Sequence, residues 1–472
     1  MFKAILQAAS RLMAGANDND ALIPEIWSRE ALMTLMSNTV FAALVHRDFS
    51  NQIASEGDVV NTSRPADFTG KRKTDSDNVT YQDAQSPNIP VPLDQHFHVS
   101  YVIKDGELSK ALPDLLERYM EPAAREIAES VDRVLAGQSA RLMTNQVGQP
   151  GAVTSLNVDT YILDADEKLN DNRAPKSGRR LVMSSRFNRS ALGAEIVVES
   201  DKRGDSGTAL REASVGRIYG FDSFMDQNVG HVNLASTDTL AGVTDAAQVE
   251  TDTAIPTTVT FDAVTTVAGV YVVIDGSQYA HRALTVTDAT GDCDLVLQNG
   301  ITADVPISTA VTVIGACEVD DAAGDYVAGW AKEIVVDGHV ANKNLQVGQL
   351  ISFTVTGETY TVISAENTST TSTTILLDRP LAAGLTDGNS CYPGPYGSRT
   401  LAFTRDAIAL VSRPLSTAAN GNGARSAVAN FDGLSMRVTT QYDSKAQGTR
   451  VTFDLLCGVA ILDERLACVV NG

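Results

Sequence analysis

An α+β chain whose second half carries a separate β-rich segment is the fold class that the sequence predicts, and three observations predict it. Residues 107–147, ELSKALPDLLERYMEPAAREIAESVDRVLAGQSARLMTNQV, place Leu112, Leu115, Leu116, Tyr119 and Met120, then Ile127, Val131, Val134 and Leu135, at helical spacing. Glu117, Arg118, Arg125, Glu126, Glu129 and Arg133 supply a charged opposite face. Upstream, residues 50–104 change to the period of two that marks a strand, around a long polar turn. Downstream, residues 231–399 are rich in Thr, Val, Ala, Gly and Asp, with short β runs broken by turns.

The chain opens with MFKAILQAASRLMA, where Lys3 and an apolar stretch imitate an export signal. Arg11 interrupts that stretch and it is short, so an amphipathic N-terminal helix or arm is expected instead. Residues 24–46 read as a helix with Pro24 near its first position, and Ile26, Ala31, Leu35, Val40 and Leu44 are among its candidate packing residues. VVNTSRP (59–65) and PLDQHFHVSYVI (92–103) are strand-like. In the second, Leu93, Phe97, Val99, Tyr101 and Ile103 share one face, while Asp94, His96, His98 and Ser100 share the other. The polar stretch between them makes a long two-stranded flap with a solvated tip. Such a flap has little core of its own and is expected to lie on a neighbouring subunit. In the long helix, Pro122 should produce a kink or start a second segment.

Residues 155–230 alternate between helix and strand. TYILDADEKLNDN reads as a helix, RRLVMSS as a buried strand, RFNRSALG as a turn or short helix, and GRIYGFDSFMDQNV as a strand entering a loop. Runs such as VAGVYVVIDG, STAVTVIGA and QLISFTVTGETYTVISA then predict a β-barrel or sandwich, with 255–320 and 333–395 as two candidate small units. LAFTRDAIALVSRPL (401–415) and residues 434–472 return to longer strands. The organisation is that of a β domain spliced into a loop of a discontinuous α/β domain.

Composition bounds the function. A chain of 472 residues accommodates two or three domains. No uninterrupted apolar run reaches the roughly 18 residues of a membrane-crossing helix, and no membrane partner is expected. Net charge is −21, and residues 231–400 hold 20 acidic against 5 basic residues, a local −15. That balance repels nucleic acid on average and argues against a sequence reader. The five cysteines, at 293, 317, 391, 457 and 468, lie far apart and read as reduced thiols.

No motif supports catalysis. GDSG at 204–207 offers Ser206 as a hydroxyl nucleophile, but none of the six histidines (46, 96, 98, 231, 281, 339) stands in a matching context. The stretch reads as a charged loop. His96 and His98 share a strand face without further ligands nearby, which favours a solvated face over a metal site. The acidic runs Asp320–Asp321 and DADE (164–167) read as solvated surface, and neither a phosphate-binding loop nor a dinucleotide fingerprint is present. No catalytic residue, cofactor or metal is expected. At the flap tip, Lys71, Arg72 and Lys73 are followed by Asp75 and Asp77, which fits an ion-paired protein–protein contact.

In this order the segments resemble the major capsid (coat) proteins of tailed bacteriophages with the Hong Kong 97 fold, more closely those of short-tailed phages that carry an inserted β-barrel domain. The matching stretches are IPEIWSREALMTLM (23–36), VPLDQHFHVSYVIKDGEL (91–108), LERYMEPAAREIAESVDRVL (116–135), LVMSS (181–185), GRIYGFDSFMDQNV (216–229) and RDAIALVSRPL (405–415) with the closing strands. The resemblance covers the chain outside the β-rich segment, and it is the order of the stretches that is specific. It implies an N-terminal arm (1–50), an extended loop (51–105), and a peripheral domain with a spine helix (106–150). An axial domain (151–230 and 400–460), an inserted β-barrel domain (231–399) and a C-terminal strand (461–472) complete the implied layout.

The function implied is self-assembly, as pentamers and hexamers, into an icosahedral T=7 shell around double-stranded DNA that is bound without sequence specificity. A scaffolding protein and a portal protein are the implied partners, with assembly in the bacterial host cytoplasm. Some members of the wider family cross-link an extended-loop lysine to a neighbour. Lys71 and Lys73 lie in the corresponding loop, but the short-tailed relatives do without the bond and none is expected. Two other readings stay open: an encapsulin-like compartment shell and an acidic β-rich surface or adhesion protein. Neighbouring genes would separate the first, and an export signal is what the second needs.

Overall fold

The computed structural model describes residues 28, 31–32, 39–47, 59–64, 68–75, 78–83, 86–105, 115–199, 212–234, 239–258, 269–289, 292–315, 317–320, 326–329, 333–340, 343–353, 355–356, 358–416, 424–431 and 434–472. The described residues fall into two compact units. One includes His46–Glu129 and Ile408–Asp463; the other comprises Val40–Val45, Ser130–Ala407 and Glu464–Gly472.

In the first unit, the long strand Gly448–Ile461 organises an antiparallel sheet. Leu434–Asp443 and Ile408–Arg413 pair along one side of it, Ala424–Phe431 follows Leu434–Asp443, and Gln95–Lys104 pairs along the other side. Gln95–Lys104 alternates as expected: residues 96, 98, 100, 102 and 104 are exposed and their neighbours covered. The flap differs from expectation. Val59–Ser63 pairs with Asn88–Pro92, from Val59 opposite Pro92 to Ser63 opposite Asn88. The chain then breaks at Leu93–Asp94 and joins the other sheet as Gln95–Lys104, so the strand-like stretch 92–103 belongs to two ladders. His46 pairs with Ala409, and the helix expected over 24–46 is interrupted. Thr39 has no regular structure and a separate short helix, Phe41–Leu44, follows; most of residues 24–38 lie outside the described ones.

The long helix runs Leu115–Gly137 and tightens into a 3-10 turn over Gln138–Leu142. Residues 107–114 of the expected helix lie outside the described ones. Met120, Ala123, Ala124, Ile127, Ala128, Val131, Val134 and Leu135 are buried at steps of three and four, the stripe that a helical period imposes. No break occurs at Pro122, which stands inside the helix and exposed. Its missing N–H forfeits one helical hydrogen bond, and the buried stripe on either side offsets the loss.

The second unit is built on a mixed sheet ordered Gln146–Val147, Ala467–Asn471, Gly397–Thr404, Arg179–Met183, Phe221–Met225 and Arg217–Ile218, with His231–Val232 pairing at the start of Gly397–Thr404. Residues 217–225 form a tight hairpin rather than a single strand, turning at Tyr219 and Gly220 with positive φ. Helices Val158–Asp171 and Ser185–Leu192 cover the sheet through Tyr161, Ile162, Ala165, Leu169, Phe187 and Ala191. Of residues 400–460, only the strand Gly397–Thr404 joins this sheet, together with the last strand, Ala467–Asn471; the strands of 408–461 form the other sheet, in which Gly448–Ile461 pairs with Gln95–Lys104.

Between Val232 and Gly397 the chain makes two β structures. Strands within 239–314 form a six-stranded sheet around Val272, Ile274, Leu295, Val311 and Val313. Strands within 317–393 close a six-stranded barrel around Ile334, Phe353, Tyr360, Val362 and Ile375. The barrel meets the end of the long helix at Gly137, whose carbonyl accepts the Thr361 hydroxyl at 2.9 Å. A Cβ on Gly137 would stand 2.8 Å from that of Asp378, so this approach requires glycine. All five cysteines are buried free thiols, and Cys317 faces Cys391 across neighbouring barrel strands.

Two buried polar side chains hold the second unit. Arg179, the largest fully buried side chain, pairs with Asp166 and donates to Asn170 Oδ1 at 3.0 Å, Ala174 O at 2.8 Å and Pro175 O at 2.9 Å. The DADE run is therefore corrected in part: Asp166 anchors a buried guanidinium rather than standing only in solvent. Asp132, on the long helix, accepts the amides of Val40 at 2.6 Å and Ala42 at 3.1 Å, capping the short helix Phe41–Leu44, which has no cap of its own. Burial, then the nearby Asp226 carboxylate, pushes the Asp132 carboxyl up to about 7, against the pull of those amides.

Two outcomes follow. Arg179→Met strands Asp166 and two carbonyls and should cost about 3–5 kcal/mol, read as a loss of urea midpoint for the second unit. For Asp132 the folded pKa is raised above the ordinary 3.8, so its contribution to stability is full below pH 4 and is lost as pH rises through about 7. The stability of wild type relative to Asp132→Asn should therefore decline from pH 4 to pH 7 in paired unfolding titrations, and a flat difference would contradict this assignment.

Candidate functional site

The flap is the candidate site, because it carries the predicted contact residues and has little packing beyond its base. That base is anchored by alternation. Val60 and Val91 sit opposite each other in the ladder and are buried with Ala409, Val411 and Ala460. Asn88 Nδ2 donates to Asn61 Oδ1 at 3.0 Å across the same ladder, and the Ser86 hydroxyl donates to Arg64 O at 2.7 Å. Arg64 reaches Asp463 at 3.7 Å.

Beyond Arg64 the ladder ends. Gln82 closes the loop instead, accepting the Thr69 amide at 3.0 Å through Oε1 and donating to Thr69 O at 2.5 Å through Nε2. Lys71, Arg72 and Lys73 follow consecutively, all exposed, with Asp75 exposed beside them; Asp77 lies outside the described residues. The three predicted cations thus stand as consecutive exposed residues without regular structure.

Sequence reasoning missed the apolar part of this surface. Phe68 is 64% exposed, Val79 65% and Tyr81 95%. A tyrosine left almost wholly in water and a phenylalanine left mostly so, on one loop, offer apolar surface that a partner can bury. The signal was available as three large side chains without strand alternation in an otherwise polar stretch. With exposed cations and aromatics on the same loop, it can make ion pairs, cation–π contacts and apolar contacts with a partner.

The other residues weighed from the sequence do not assemble. Ser206 and its GDSG context lie outside the described residues. His96 and His98 are on the exposed face of Gln95–Lys104, where His96 Nε2 stands 3.9 Å from Asp454. His281 is buried, accepting or donating at 2.6 Å with the Ser277 hydroxyl, and its burial pushes it down to about 4. Among the described residues no group of three or more His, Cys, Asp or Glu side chains is placed to hold a metal, and no helix is long and apolar enough to cross a membrane.

A profile described as P22 coat protein, gene protein 5, matches residues 13–302. No curated protein matches the sequence. Among solved structures, a protein of Mycobacterium phage Che8 aligns over 92% of this chain and 91% of its own at 13% identity and TM-score 0.44. The capsid of cyanophage P-SCSP1u aligns over 92% and 88% at 11% identity and TM-score 0.44. The SrpI encapsulin of Synechococcus elongatus aligns over 92% and 88% at 8% identity and TM-score 0.32.

Replacing Lys71, Arg72 and Lys73 together by Glu should change the melting temperature of the unassembled chain little, since exposed substitutions lie within about 0.5 kcal/mol. Val91→Ala, at the buried base, should cost about 2 kcal/mol in the same melting experiment. Equal effects from the two would mean that the tip packs on its own chain.

Proposed function

The chain belongs to the P22 coat protein family, and from that premise we infer that the flap is the element by which neighbouring copies grip one another. The protein is a major capsid protein that forms the shell of a tailed bacteriophage, with an α+β capsid fold and a structural role in the virion. The observation that carries the flap reading is its exposed tip, Phe68, Lys71, Arg72, Lys73, Val79 and Tyr81, held on a base that, among the described residues, is buried at Val60 and Val91. A loop that exposes aromatic and cationic groups together gains by lying on a second copy.

The finer architecture we propose is of the Hong Kong 97 type. In it, 1–50 is an arm, 51–105 the extended loop, 106–150 the spine-helix region, 151–230 with the sheet around Gly397–Thr404 an axial domain, and 231–399 an inserted β domain. Copies gather as pentamers and hexamers on a T=7 lattice, assembled in the host cytoplasm with a scaffolding protein and a portal protein, and the shell encloses double-stranded DNA without reading its sequence. The inserted domain faces outward. Its −15 charge would be repelled by packaged DNA, whereas outside it meets solvent screened over about 8 Å.

Each exposed ion pair is worth little, roughly 0–1 kcal/mol, but a shell repeats it at every subunit. Light scattering should therefore find purified protein in shells or capsomers, and the triple reversal at 71–73 should shift it towards free chains. A persistent 50.1 kDa species from the unaltered protein would overturn the assembly reading. Normal particles from the triple variant would overturn the role of the flap.

A further inference from the structure

Of the five cysteines, two are brought face to face. The barrel of residues 317–393 begins with strand Cys317–Asp320 and ends with strand Ser390–Pro393, and its circuit closes where those two strands meet. Among the described residues that closing ladder has Cys317 opposite Cys391 and Glu318 opposite Ser390, whereas the ladder between Thr359–Asn367 and Thr373–Leu377 runs from Val362 to Asn367. Cys317 Sγ lies 3.0 Å from Cys391 Sγ, and both side chains are buried in the barrel core with Val319, Phe353 and Leu385. The other three thiols stand elsewhere: Cys293 is opposite Thr257 and Asp288, Cys457 opposite Ser412 and Gln95, and Cys468 opposite Ala402.

Position and distance both suit a covalent bond. Residues directly opposite in an antiparallel ladder hold their Cα atoms about 4.5–5.5 Å apart, inside the window of about 4.4–6.8 Å that a disulfide spans. The two sulfur atoms need only approach from 3.0 Å to about 2.05 Å. Buried cysteines also serve as small apolar filler, but a pair placed opposite each other at the closing seam has a second use. Burial, then the neighbouring Cys317, pushes the Cys391 thiol well above its ordinary range, so the closed barrel keeps it protonated and slow to react. The short seam supplies the access: when its pairs separate, both thiols meet solvent together.

We propose that Cys317 and Cys391 form a redox-controlled staple: thiols while the chain is in a reducing cytoplasm, and a disulfide that locks the barrel seam once the shell meets an oxidising medium. The oxidant is a small-molecule disulfide such as oxidised glutathione. As the seam opens, one cysteine thiolate attacks a sulfur of that reagent and expels the first small thiolate. The second cysteine thiolate then attacks the cysteine sulfur of the mixed disulfide and expels the other. One S–S bond breaks in the reagent and one forms in the barrel. The two cysteine protons pass to the expelled thiolates, and the pair loses the two electrons that the reagent gains. The bond spans 74 residues of chain, so it restricts the unfolded state and stabilises the folded barrel. The change of medium rests on the capsid reading; the bond itself does not.

The test equilibrates purified full-length protein in glutathione buffers from reduced to oxidised, alkylates its free thiols in denaturant, and maps the peptides by mass spectrometry. In oxidising buffer the Cys317 and Cys391 peptides should appear joined and lighter by two hydrogen atoms, while Cys293, Cys457 and Cys468 are alkylated. Melting should rise by several degrees in the oxidised protein and return on adding dithiothreitol. In Cys391→Ala neither treatment should move it. Should that variant fail to fold, the map and the melting shift of the unaltered protein decide alone. Both cysteines alkylated in every buffer, either one carrying glutathione instead, or a joined pair without a melting shift overturns the proposal. The map reads the same on shells and on free chains, so a failure to assemble leaves it intact.

Discussion

Strand Gly397–Thr404 is the constraint on which the second unit depends. Every residue of it is buried. Its far half pairs with Arg179–Met183 on one side and with Ala467–Asn471 on the other, while its first residues, Gly397 and Ser398, pair with Val232 and His231. The point at which the chain departs and the point at which it returns are thus adjacent in one ladder. Closing so long a loop costs only slightly more entropy than closing a short one, because the cost grows with the logarithm of length. The excursion then needs its own sources of stability, and the two private cores within 239–314 and 317–393 provide them.

Polar groups are buried in this unit where they fix geometry. Arg179 joins a helix to the sheet through Asp166, Asn170 and two carbonyls, so one side chain sets the relation of three segments. Asp132 does the same for the long helix and the turn at 40–44. Both exact a desolvation cost, and in return only one arrangement satisfies their partners. The flap follows the opposite rule: two valines at the base and a hydrogen-bonded glutamine hold a loop whose largest side chains stay in water.

Much of this was legible in the sequence. The stripe from Met120 to Leu135, the alternation through Gln95–Lys104 and the helix–strand–helix run from Val158 to Leu192 each follow a local period, and local periods survive into the fold. Partners did not follow. Residues 92–103 read as one strand because the alternation is unbroken, yet the ladder changes at Leu93–Asp94; which strand pairs with which is decided by contacts far along the chain. The burial of Asp166 against Arg179 was equally hidden, since nothing near a DADE run announces a guanidinium that arrives from residue 179. Lys71, Arg72 and Lys73 were found as a charge run, whereas Phe68, Val79 and Tyr81 were passed over because a few apolar residues in a polar loop have no period to reveal them.

The proposed copy-to-copy grip by the flap is tested most directly by a particle reconstruction fine enough to trace side chains. The map should place Tyr81 and the Lys71–Lys73 stretch against a neighbouring subunit of a closed shell, with the aromatic ring buried there. A closed shell in which that stretch stays in solvent, or folds back on the sheet of its own chain, would contradict it.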